Sequence, residues 1–151
     1  MRVPVIIFVL LWPLSTVVAQ NSGMEFHKKT SNKIIYDCYK GDMPVATVLI
    51  LQHLPNHDEG RFVLEEKKDT VVQVKGDWTV LRGDATDEDA AVVELDTEKK
   101  LWYFLRKKNG DLQQLDPSLH MMKPESDHLL RKTKYKDADK KLFDEIDGKG
   151  D

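Results

Sequence analysis

The residues best equipped for chemistry stand in three places. Cys38 is the only cysteine of the chain. His53 and His57 are four apart, but Pro55 lies between them, so His53-Leu54-Pro55-Asn56-His57 reads as a loop rather than a helix face. His120-Met121-Met122 offers imidazole and thioether donors, a soft set that suits copper(I). Consecutive residues of an extended chain point to opposite faces, so three adjacent ligands would need a loop geometry. A metal centre requires these groups, with His128, to converge in space. The plainer reading is solvated or packed loop side chains.

Catalytic sets are harder to find. A nucleophilic cysteine needs an imidazole partner and a lowered pKa. Cys38 sits mid-strand between Asp37 and Tyr39, and a neighbouring carboxylate raises a thiol pKa rather than lowering it. Ser15, Ser22, Ser31, Ser118 and Ser126 lack a nucleophile-elbow context. There is no glycine-rich phosphate loop. The tail "LFDEIDGKGD" opens like a calcium loop, but Lys149 would fall at the third ligand position, which rejects it. The chain reads as non-enzymatic and without a cofactor.

The elements that would position such residues are short strands. Residues 1–19, MRVPVIIFVLLWPLSTVVA, have the form of a secretory signal: Arg2, an apolar run too short to span a bilayer, then small residues before a cleavage point after Ala19. The protein is expected to be exported, to a periplasm or outside the cell, with no membrane span in the mature chain. A lone cysteine excludes a disulfide framework. The formal net charge of −3, with acids and lysines interspersed, leaves no basic stripe for nucleic acid.

Residues 20–32 are polar and aperiodic and read as an N-terminal arm. From Lys33 to Lys132, apolar segments recur between turn signals, the pattern of an all-β domain. "KIIYDCYK" places Ile35, Asp37 and Tyr39 on one face and Tyr36 and Cys38 on the other. "PVATVLILQHL" is apolar almost throughout and suits a strand covered on both faces. "GRFVLEEKK" alternates, with Phe62 and Leu64 inward. "TVVQVKGDWTVLRG" alternates through Trp78 and Val80, and Gly76 signals a bulge or bend. "AAVVELD", the aromatic "KLWYFLRKK", "DLQQLD" and "HLLRKT" follow. Asn109-Gly110 predicts a type I′ hairpin. Eight sequential antiparallel strands predict a small up-and-down, lipocalin-like barrel, since closure removes the sticky edges. Trp78, Trp102, Tyr103 and Phe104 either fill its core or line a ligand cavity; eight strands leave room for little more than one small ligand. Residues 133–151 are rich in Lys and Asp and read as a flexible charged tail with one or two helical turns around Leu142, Phe143 and Ile146.

The order of these motifs resembles a known family. Tyr39-Lys40-Gly41-Asp42-Met43-Pro44 is similar to the "Y-x-G-x-L-P" opening of the N-terminal domain of the copper resistance/envelope lipoprotein NlpE. Phe62-Val63-Leu64-Glu65, Gly76-Asp77-Trp78, "VVELD" and Gly110-Asp111-Leu112-Gln113-Gln114-Leu115-Asp116 follow in the family's order. The family's Cys-x-x-Cys after the proline is replaced here by Val45-Ala46-Thr47, and the lipid-bearing cysteine is missing, so copper or redox chemistry based on that pair is not carried over. The resemblance implies a barrel of the bacterial envelope that binds or senses a small apolar ligand or an envelope protein. Copper handling and a role in stress response, or a small-barrel inhibitor or interaction module, are the alternatives. The "Y-x-C-x-x-G" of residues 36–41 is also similar to the opening of the barrel inhibitors of C-type lysozyme, but the later motif of that family is missing. A ligand binder would show a hollow barrel. An interaction module would show a filled one with an exposed apolar or charged surface on loops such as 54–60 or 119–124.

Overall fold

The computed structural model describes residues 33–84 and 87–150; the expected signal peptide and N-terminal arm lie outside the described residues. Eight strands follow in chain order: β1 (Ile35–Asp42), β2 (Ala46–His53), β3 (Glu59–Lys67), β4 (Val71–Asp84), β5 (Asp87–Asp96), β6 (Leu101–Arg106), β7 (Leu112–Leu115) and β8 (Leu129–Thr133). Each pairs antiparallel with the next, and β1 pairs with β8 through Cys38 opposite Thr133 and Gly41 opposite Leu130. The result is a closed up-and-down barrel. Closure pairs every edge that a free sheet would leave open. Among the described residues no helix is long and apolar enough to cross a membrane.

Period two sends alternate side chains inward. Tyr39, Leu49, Leu51, Phe62, Leu64, Trp78, Leu95, Trp102, Phe104, Leu112 and Leu130 meet in one buried cluster inside the barrel. The face assignments expected for β1, β3 and β4 hold in this register.

The almost continuous apolar run of β2 has a second cause. Leu49 and Leu51 point into the barrel, while Val48 and Ile50 point outward beneath a helix, α1 (Asp137–Asp147). Residues read from sequence as a charged tail with one or two helical turns thus form an 11-residue helix. Its Phe143 and Ile146 pack on Cys38, Ile50 and Val63. Each such side chain contributes on the order of 2–3 kcal/mol by leaving water. Composition hid this docking because only three apolar residues, at helical spacing, carry it. The backbone N–H of Lys136 donates to Asp139 Oδ2 at 2.9 Å, which caps the N-terminus. The Gly148 N–H closes the last turn on the Asp144 carbonyl at 3.0 Å.

Two local expectations are corrected. Gly76 marks no bulge: it faces Phe62 in continuous register. A Cβ there would lie 2.0 Å from the Asp96 carbonyl oxygen, so the glycine permits close approach of β5. The register shift in β4 falls instead between Arg82 and Asp84. The Asn109-Gly110 turn is not type I′. Gly110 has φ 89°, while Asn109 is not among the residues with positive φ. The Gly110 N–H bonds the Lys107 carbonyl and the Lys107 N–H bonds the Asp111 carbonyl, a three-residue turn ending in a left-handed glycine.

Candidate functional site

Strand direction alternates, so the connections fall at two ends. The upper end carries the start of β1, the β2–β3, β4–β5 and β6–β7 connections and the end of β8. The lower end carries the β1–β2, β3–β4, β5–β6 and β7–β8 connections. This division sorts the residues singled out from sequence. His53 and His57 are at the upper end; His120, Met121, Met122 and His128 are at the lower end. The barrel's length therefore separates the two groups, and the convergence that a joint metal centre needs is not found. Among the described residues no three His, Cys, Asp or Glu side chains are grouped to hold a metal ion.

His53 has other partners. Its Nε2 lies 3.2 Å from Asp37 Oδ2 and its Nδ1 lies 2.9 Å from the Leu54 carbonyl oxygen. Its ring stands edge-on to Trp78. Asp37 also receives Lys132 Nζ at 2.9 Å. At the lower end, His128 is buried in a 3₁₀ turn (Glu125–His128), with Nδ1 2.8 Å from Gln114 Oε1.

Of the four aromatic side chains expected to line a cavity or fill a core, three lie in the core cluster and Tyr103 does not. Trp78, Trp102 and Phe104 belong to the inner cluster, and Phe104 is fully buried. Phe62 meets Trp102 edge-on, and the Trp78 Nε1–H donates to the Gln52 carbonyl at 3.1 Å. Tyr103, between them in sequence, faces out. Two shallow depressions lie on the outer wall: one of about 610 Å³ over Leu101, Tyr103 and Pro117, and one of about 380 Å³ over Asp77, Thr79 and Glu94.

Cys38 is buried on the outward face of β1, under α1. Burial pushes its thiol pKa up, and Asp139 adds to this. The acid beside it is Asp139 and not, as sequence adjacency implied, Asp37, which faces the opposite way. Asp139 is itself buried. Burial alone would raise its pKa, but Lys40 Nζ at 3.1 Å and the Lys136 N–H hold the carboxyl below its usual range. This cluster of Cys38, Lys40 and Asp139 fixes the helix to the wall.

The residues that carry the family resemblance serve the architecture. Tyr39 and Trp78 fill the interior. Gly41 admits β8, since a Cβ there would sit 2.1 Å from the Leu129 carbonyl oxygen. Pro44 stands in the β1–β2 turn, where the Met43 N–H reaches the Val45 carbonyl. Gly76 and Gly110 act as described above. Asp116 organises the β7–β8 connection: its Oδ1 accepts the Ser118 N–H at 2.8 Å and the His120 N–H at 3.0 Å. The His120 bond is the first cause that lowers the Asp116 pKa.

The loop so held presents Leu119 in the left-handed region, φ 64°, and 47% exposed. A non-glycine residue there stores on the order of 1 kcal/mol or more of backbone strain. Leu119 is not isolated. Val71 and Val72 on the β3–β4 hairpin, Leu101 at the start of β6 and Met121 are exposed at the same lower end. Sequence analysis named the 119–124 segment but missed the valines and Leu101, because alternation alone assigns such residues to a strand and not to its exposed end.

Comparison of the chain with protein-family models, with curated proteins and with solved structures returned no match.

Proposed function

We propose that this chain is an exported, non-enzymatic, NlpE-like barrel that acts by binding an envelope protein at its lower end. The observation that carries the reading is the filled interior: Tyr39, Phe62, Phe104, Leu49, Leu51 and Leu64 are each at most 1% exposed. Among the described residues, these side chains occupy the space inside the barrel that a small apolar ligand would need. Binding then falls to the outer surface, and the exposed apolar residues at the lower end support this. Protein interfaces are built around such apolar centres with polar rims, and here Lys99, Lys100 and Glu98 flank Leu101. A strained Leu119, held outward by Asp116, adds support, since strain of this kind gathers at functional positions.

A photo-cross-linking amino acid at position 119, in the full chain expressed in an exporting host, tests the reading. It is expected to capture one partner. The same group at position 79, on the outer wall, is expected not to. Equal capture from both positions, or loss of nothing on adding Leu101→Asp to the position-119 variant, would contradict it.

A further inference from the structure

His53, at the upper end of the barrel, plays no part in the protein-binding reading, yet its surroundings are specific. It ends β2 opposite Gly60, which in turn stands opposite Trp78. A Cβ on Gly60 would lie 3.0 Å from Trp78 Nε1, so the glycine lets the His53 and Trp78 rings meet edge-on. The His53 side chain is left 14% exposed. The turn Leu54-Pro55-Asn56-His57 follows. Pro55 and a left-handed Asn56, φ 62°, suit a type II turn, and the His57 N–H closes it on the Leu54 carbonyl at 3.1 Å.

Both ring nitrogens of His53 meet acceptors. Nδ1 lies 2.9 Å from the Leu54 carbonyl oxygen, and Nε2 lies 3.2 Å from Asp37 Oδ2. A neutral imidazole has one N–H and one lone pair, so it can donate to only one of them. Its other nitrogen would set a lone pair against an oxygen lone pair. The imidazolium has two N–H groups and satisfies both acceptors. The arrangement is complete only when the ring carries both protons. The charged groups facing the ring come from two strands. β1 presents the Asp37 carboxylate, and β8 presents Lys132, whose Nζ holds the other oxygen of that carboxylate at 2.9 Å whether or not the ring is charged. β3 and β4 bring uncharged Gly60 and Trp78, and the loop itself carries His57, Asp58 and Glu59.

We propose that His53 is a pH-sensitive latch on the β2–β3 turn: with both protons it ties the Leu54 carbonyl to Asp37 on β1, and on losing one it releases the turn. The proton leaves Nδ1 for solvent. The Nε2–H bond is the one retained, because its acceptor is a carboxylate and such a bond is stronger than one to a carbonyl. The Leu54 carbonyl keeps the His57 N–H and exchanges the imidazole for water. The turn that carries Leu54, 42% exposed, is firm in acid and looser in base.

Amide hydrogen exchange of the full mature chain, at pH about 5.5 and about 8, brackets the ordinary histidine pKa of about 6.5 and tests the latch. Each rate is divided by that of an unstructured amide of the same sequence at the same pH. The His57 amide is expected to be roughly fivefold better protected at the lower pH, the worth of about one hydrogen bond. The Gly110 amide, which closes the β6–β7 turn on the Lys107 carbonyl, is expected to show no such step. His53→Gln offers a donor and an acceptor at every pH, so it should leave the residue-57 amide at its less protected level and abolish the step. His57→Gln should keep it. Four results would each overturn the proposal: equal protection of the His57 amide at both pH values, a step of the same size at Gly110, a step that persists in His53→Gln, or a step lost in His57→Gln. The first two are read on the wild-type chain and need no variant to fold.

Discussion

On the flank formed by β1, β2 and β3, the outward side chains Tyr36, Cys38, Val48, Ile50 and Val63 are apolar and lie beneath α1. On the flank formed by β4, β5 and β6, the outward positions include Asp77, Thr79, Glu94, Asp96 and Tyr103, and no helix among the described residues covers them. Both flanks send the same kind of large apolar side chain inward. The inward pattern makes the barrel, and the outward pattern decides where the helix sits. A helix of 11 residues is marginal alone. It is held by Phe143 and Ile146, by Arg61 paired to Asp147 at 2.7 Å, and by Lys75 reaching the carbonyls of Asp147 and Lys149 at its C-terminal end, where a cation is favoured. Tyr36 adds stacking on Tyr135 and an edge contact with Phe143.

The contrast is broken most strongly at Phe143. Phe143→Ala should cost about 3–5 kcal/mol in urea unfolding, the range for a buried phenyl. It should also expose Cys38, so that a thiol reagent inert towards the native chain reacts readily with the variant. Unchanged thiol reactivity would mean that the helix does not shield the flank. The uncovered flank is tightly built at one place. Gly76→Ala should cost about 1–3 kcal/mol, because its Cβ meets the Asp96 backbone and Phe62. An unchanged denaturation midpoint would show that β4 and β5 can separate at no cost.

A smaller effect is expected at Asp139. Its carboxyl is held below the usual range, so the stability it adds is present above that range and is lost as pH falls through its folded pKa. Acidification should therefore loosen α1, followed by thiol reactivity, before the barrel unfolds. Asp139→Asn should lower stability by about 1–2 kcal/mol near neutral pH and flatten this acid limb. An acid limb of wild-type steepness in the variant would assign the effect to other carboxyls. The smallest change sharpens the comparison from the other side. Asp77 and Asp96 face each other directly across β4 and β5. Like charges so placed repel, and Asp77→Asn should raise stability by about 0.2–0.5 kcal/mol at low salt and by less at high salt. A loss of stability would show that the aspartate makes a favourable contact.

The barrel was legible because its signal is local. Alternation at Phe62, Leu64, Val74, Trp78 and Val80 places one face of each strand inside, and turn residues separate the strands. The docked helix was half legible: β2 reads as apolar on both faces, but nothing in sequence says what covers Val48 and Ile50. The partner is Phe143, about ninety residues away, and only the closed topology brings them together. The same limit applies to the sites. The separation of His53 from His120 follows from strand direction, which local pattern does not show. Asp37 was misassigned to Cys38 because sequence neighbours on a strand point to opposite faces.

Native mass spectrometry of the mature chain, purified from an exporting host, tests the central claim that the interior is filled and the protein acts through its surface. The mass of the polypeptide without an apolar passenger is predicted, before and after adding a fatty acid or other apolar probe. An apolar molecule that stays bound through purification and leaves only on denaturation would contradict it.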